Sequence, residues 1–94
     1  MQKIVNGYLY DTDAAEIVAS DRYWDGHNWE RNGRNTYICR TPGGRFFLYV
    51  HTLWESERDV LEPISQDLAM EIYERLPEHE ISYADAFGEE PHEA

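Results

Sequence analysis

Residues 36–54 restrict the possible folds of this chain more than any other stretch. Two extended runs, Thr36-Tyr37-Ile38-Cys39-Arg40 and Arg45 through Trp54, flank the tetrapeptide Thr41-Pro42-Gly43-Gly44. β-Branched and aromatic residues suit a pleated strand, and the Pro-Gly-Gly segment punctuates it, so an antiparallel hairpin is predicted. Alternate side chains of a strand share a face. Phe46, Leu48, Val50 and Trp54 therefore point one way, and Phe47, Tyr49, His51 and Leu53 the other. Both sets are largely apolar. The second strand should lie in the middle of its sheet and be covered on both sides, at least in part.

The remaining elements fit around that hairpin. Lys3-Ile4-Val5 and Tyr8-Leu9-Tyr10 flank Asn6-Gly7, a pair that supplies the positive φ angles of a type I′ turn. Asp11-Thr12-Asp13 is turn chemistry. Residues 14–20 carry two signals: Asp13 and Glu16 have capping-box spacing, whereas Ile17-Val18 leading to Tyr23-Trp24 suits a strand. A strand with a helical or turn-like entry accommodates both. Residues 25–35, rich in Asp, Asn and Gly, predict a loop or irregular hairpin. Pro63 precedes a helix whose N-cap is Ser65, with Leu68, Ala69, Ile72, Tyr73 and Leu76 forming an apolar stripe and Pro77 ending it. The expected fold class is α+β: a small antiparallel β-sheet with one C-terminal amphipathic helix packed on one face, followed by an acidic tail. Residues 1–80 should form the single domain and residues 81–94 a partly ordered tail, into which Ile81, Tyr83 and Phe87 could fold back.

Ninety-four residues leave room for one core only. A single cysteine, Cys39, excludes an internal disulfide framework and fits a reducing compartment. The segment MQKIVNGYLYD has no apolar run of signal-peptide length, which predicts a soluble protein that works in the cytoplasm where it is made. Charge is sharply segregated. Residues 1–54 balance six acids against Lys3, Arg22, Arg31, Arg34, Arg40 and Arg45; residues 55–94 set thirteen acids against Arg58 and Arg75, the whole of the net −11. Such a balance argues against direct contact with nucleic acid or an anionic membrane, both of which would repel it.

Catalytic and metal readings find little support. His27, His51, His79 and His92 include no pair at helical i, i+4 spacing and no zinc-ligand cluster, so neither metal nor other cofactor is expected. Cys39 falls inside a strand, where cysteine is usually a small buried apolar residue. Ser65 is explained by capping. The protein is not expected to be an enzyme. Binding chemistry is better represented. Asp67, Glu71 and Glu74 recur at i, i+4 and i+7 on the predicted helix, opposite its apolar stripe, and Glu78 extends the row. At 1.5 Å rise per residue these charges stand roughly 5–6 Å apart, of the order of the phosphate spacing along one nucleic-acid strand. Glu55, Glu57, Asp59 and Glu62, on the loop before the helix, form a second row. Exposed aromatics, Trp54 or Trp29, would add anchors at the rim.

Residues 3–15 (KIVNGYLYDTDAA), residues 39–48 (CRTPGGRFFL) and Pro63-Ile64-Ser65 at the last helix together resemble a family of small proteins encoded by bacteriophages and other mobile elements. The family pattern is a "YDT-x-TA" start, a "YR-x-x-x-G-x-(F/Y)-FL" hairpin and a "PLS-x-x-x-A" helix, and such proteins occur among candidate anti-CRISPR inhibitors. This chain departs from it at residues 49–55, where relatives continue with a "GEGG"-like stretch, and in its acidic tail. The resemblance implies a bacterial or phage setting and a binding role, and it carries over no catalytic residue. With the acidic rows, the expectation is an inhibitor, monomeric or homodimeric, that engages the basic nucleic-acid-binding surface of a CRISPR effector. The alternative is a non-enzymatic interaction or adaptor module that pairs through its aromatic surface.

Overall fold

A computed structural model of the chain describes residues 1–21, 34–52, 56 and 58–93. Its first element follows from one dipeptide. Asn6 at φ 54° and Gly7 at φ 81° make the type I′ turn. They fold Gln2–Val5 (β1) onto Tyr8–Asp11 (β2), with Val5 opposite Tyr8 and Lys3 opposite Tyr10. These four residues share one face. Tyr10 and Val5 turn inward, while Ile4 and Leu9 occupy the outer face, 72% and 54% exposed.

The main sheet has five antiparallel strands. Glu16–Ser20 is β3, Arg34–Arg40 β4, Phe46–Thr52 β5, Val60–Ile64 β6 and Glu78–His79 β7, in the spatial order β6-β5-β4-β3-β7. The β4–β5 hairpin forms as expected, with β4 starting at Arg34, two residues inside the expected loop; the rest of that loop and Tyr23-Trp24 lie outside the described residues. Thr41 N donates to the Arg45 carbonyl (2.8 Å), Gly44 N donates to the Thr41 carbonyl (2.9 Å), and Gly44 takes φ 89°. This is a three-residue hairpin loop closed by a left-handed glycine. Residues 14–20 resolve as a turn leading into β3.

β5 is an interior strand covered on both faces, as expected, but it lies one place from the β6 edge, and β4 takes the middle of the sheet. Phe46 and Leu48 face one apolar cluster with Val18, Ala19, Ile38, Ala69, Tyr73, Leu76 and Phe87. Phe47 and Tyr49 face a second cluster with Tyr10, Cys39 and Leu61. The molecule is thus three layers: helices, the five-stranded sheet, and the β1–β2 hairpin. Tyr10 meets Phe47 edge-on at 5.8 Å, and Lys3 Nζ donates to the Leu61 carbonyl at 3.2 Å, so apolar and polar contacts both fasten the hairpin.

The helix Gln66–Arg75 (α1) begins where the sequence places it, with Leu68 N donating to Ser65 Oγ at 3.1 Å. Its buried stripe is Ala69, Tyr73 and Leu76, with Met70 and Ile72 half-buried; Leu68, expected in the stripe, is 42% exposed at the helix entrance. A helix of ten residues is roughly 15 Å long, enough to cross three strands at about 4.8 Å each. It packs on β5, β4 and β3, from the β6 edge toward the β7 edge.

Two departures matter. Residues 60–62, read from sequence as part of a loop, belong to the edge strand β6; Pro63 within it sits opposite Phe47. An edge strand tolerates proline because its missing N–H faces away from the ladder. Second, the expected tail includes a further helix, Tyr83–Phe87 (α2), capped by Ser82 and closed by Gly88 at φ 76°. Ala86 and Phe87 are buried in the helix-side core. Phe87 lies 5.0–5.5 Å from the rings of Tyr83, Phe46 and Tyr73. Residues 89–93 are exposed.

Candidate partner-binding surface

The acidic face of α1 follows from the burial of its other side. Ala69, Tyr73 and Leu76 point into the core, so Asp67, Glu71 and Glu74 are left on the exposed face. Among the described residues, no Lys, Arg or His forms an ion pair with these three carboxylates. Several of the basic side chains are occupied elsewhere. Lys3 bonds the Leu61 carbonyl, and the Arg45 guanidinium sits 3.6 Å over the Tyr8 ring. Arg40 donates from Nε to Glu16 Oε1 (2.7 Å), pairs its Nη2 with the same carboxylate, and donates from Nη1 to the Asp85 and Ala86 carbonyls (2.8 and 2.9 Å).

The other predicted site residues are placed differently. Glu62 is exposed on β6, opposite Leu48, and Glu78 is half-buried on β7, opposite Ser20. Those strands are the two edges of the sheet, so Glu62 and Glu78 stand at opposite ends of the path that α1 bridges. Glu78 does not continue the helical row, because the chain leaves the helix at Leu76. Trp29, Trp54, Glu55 and Glu57 lie outside the described residues.

Asp59 is used internally. Its Oδ2 accepts from the Tyr49 hydroxyl at 2.6 Å and lies 3.0 Å from His51 Nδ1, while its Oδ1 accepts from Thr52 N at 2.9 Å. A carboxylate only accepts, so Nδ1 carries the proton of the His51 ring. The bond from Tyr49, followed by those from Thr52 and His51, pulls the Asp59 carboxyl down to about 2. On the other side of the same bond, burial and the adjacent carboxylate push the Tyr49 hydroxyl up. This cluster ties the end of β5 to the start of β6. Sequence reasoning missed it; the only available signal was Tyr49 and His51 sharing a strand face.

Cys39 and His51 do not form a reactive pair. Cys39 is opposite Phe47 in the ladder, four residues along β5 from His51, or roughly 13 Å of strand. Burial also pushes the Cys39 thiol up to about 12, so it stays protonated and poorly nucleophilic. No three His, Cys, Asp or Glu side chains among the described residues are grouped to hold a metal ion. No helix among them is long and apolar enough to cross a membrane.

No protein-family model matches this sequence, and no significant match is found among curated proteins or solved structures.

Proposed function

We propose that this protein is a non-catalytic inhibitor that occupies the basic, nucleic-acid-binding surface of a protein partner, with the acidic face of α1 as its principal contact. The single observation that carries the reading is the row Asp67, Glu71 and Glu74. All three are exposed on a helix fixed by its buried side, and no described cation pairs with them. Fixed carboxylates lose little conformational freedom on binding and present a charge pattern that Lys and Arg side chains arranged for phosphates can accept. The phage-type resemblance supplies the target class: a CRISPR effector subunit or complex in a bacterial cytoplasm. No metal or cofactor is needed for such occupancy.

The test is capture from a lysate of CRISPR-bearing bacteria, followed by competition with DNA on the recovered complex. DNA should displace the protein, and the Asp67→Asn, Glu71→Lys double variant, which removes charge without touching the core, should not be retained. Retention of that variant, or indifference to DNA, overturns the reading.

One observation favours a second reading, an interaction module that pairs through an apolar surface. Ile4 and Leu9 face each other on the outer side of the β1–β2 hairpin and remain exposed. Under that reading Ile4→Ser would abolish association and α1 charge reversal would not.

A further inference from the structure

The C-terminal end of α1 borders an open pocket of about 750 Å³, lined by Tyr73, Glu74, His79, Tyr83, Pro91 and His92. Its aromatic walls are held in place. Tyr73 donates its hydroxyl proton to the Ile81 carbonyl at 2.8 Å, and Tyr83 meets it edge-on at 5.7 Å. The His79 ring stacks on Tyr73 at 3.9 Å and 16°, with Nε2 placed 2.8 Å from the Tyr73 carbonyl oxygen. A carbonyl can only accept, so Nε2 carries hydrogen, and in the neutral ring Nδ1 is left as an acceptor. With Tyr73 buried beneath His79, the pocket offers the rings of His79 and Tyr83, an imidazole acceptor and the Glu74 carboxylate, with no Lys or Arg among the described residues that line it.

Charge selects the ligand. The helix terminus contributes partial negative charge, and after Arg75 the chain adds Glu78, Glu80, Asp85, Glu89, Glu90 and Glu93 with no Lys or Arg. An anion would be repelled. A planar cation with several donors can stack on the rings and bond Glu74 and His79 together, which an ammonium, lacking a plane, does less well. We infer that this pocket receives the guanidinium of an arginine side chain from the basic protein partner. The inference rests on the reading that the partner surface is basic, and it names the side chain set into this end of the acidic face.

The probe is N-acetyl-arginine methylamide, titrated into the isotopically labelled full chain at low ionic strength while the ring resonances of His79, Tyr83 and His92 are followed by NMR. Saturable shifts at those rings are expected, at least about fivefold tighter than with the lysine analogue of equal charge. Glu74→Gln, a near-isosteric change at an exposed position, should weaken arginine binding about tenfold by removing a charge-assisted hydrogen bond. Equal response to lysine and arginine, shifts scattered over carboxylates away from the rings, or no effect of Glu74→Gln overturns the pocket. Because the probe is a single residue, that failure is separate from failure of the α1 reading, which is judged by partner capture through Asp67 and Glu71.

Discussion

Asp59 accepts from three groups on one neighbouring strand, Tyr49, His51 and Thr52. These bonds favour its charged form and hold the carboxyl at about 2 in the folded chain, against about 3.9 for an unfolded aspartate. A carboxyl with a lowered folded value stabilises the fold above about pH 4, and that contribution disappears as pH falls toward 2. Asp59→Asn should therefore cost about 1–2 kcal/mol at pH 7, allowing for solvent screening at this partly exposed site. The gap between the variant and the natural chain should narrow to about a third in urea unfolding at pH 2.5 and close only below about pH 2; a gap that is constant with pH would exclude the charged form as the source. This residue was read from sequence as one member of a partner-facing acidic row. Its three bonds join positions seven to ten residues apart across a strand pair, and no local pattern encodes that register.

At the scale of elements, legibility follows from how each segment buries its apolar side. The Asn6-Gly7 turn, the Thr41–Gly44 loop and the Ser65 cap are local chemistry, and each forms as its residues require. The strand β6 was harder to see because Pro63 argues against a strand, an objection that lapses only when the strand is known to be an edge. The β3–β4 register shift was invisible. Ile17 pairs with Cys39 and Ala19 with Ile38, so Val18 is the extra residue of a bulge. Consecutive residues Val18 and Ala19 consequently both enter the helix-side core, and the Val18 carbonyl accepts from Glu80 N and Ile81 N. The helix α2 has five residues, too few to display a helical period, although its cap residues Ser82 and Gly88 were present. Its anchoring is tertiary: Arg40 holds its last carbonyls, Gln66 Nε2 donates to the Phe87 carbonyl at 3.1 Å, and Phe87 fills the core. Phe87→Ala should thus destabilise the chain by about 3–5 kcal/mol. Deleting residues 89–94, of which 89–93 are exposed, should change stability by no more than about 0.5 kcal/mol. Thermal melts of the two variants check both, and equal effects would contradict the placement of the folded boundary at Gly88.

Across the whole molecule, the three layers sort chemistry as well as packing. The hairpin layer contains Lys3 and stands against Arg45, with Ile4 and Leu9 outermost. The helix layer carries Asp67, Glu71 and Glu74 outward and continues into the acids after β7. Of the candidate site, the α1 row was legible because exposed carboxylates repeat with the helical period that buries Ala69 and Tyr73. The opposed placement of Glu62 and Glu78 was not, since it depends on strand order. The layering yields two surfaces with opposite responses to salt. Coulomb attraction between the α1 face and a basic partner acts over a Debye length of about 10 Å at 0.1 M salt and about 3 Å at 1 M. Steering by this face should make association fast at low ionic strength and slow it by about tenfold or more between 0.05 and 0.5 M NaCl, with a smaller change in the dissociation rate. An apolar contact through Ile4 and Leu9 would hold or tighten over the same range, because burial of apolar surface needs no charge. Stopped-flow association with the captured partner, across a salt series, decides between them. A rate independent of salt would transfer binding from the helix layer to the hairpin layer.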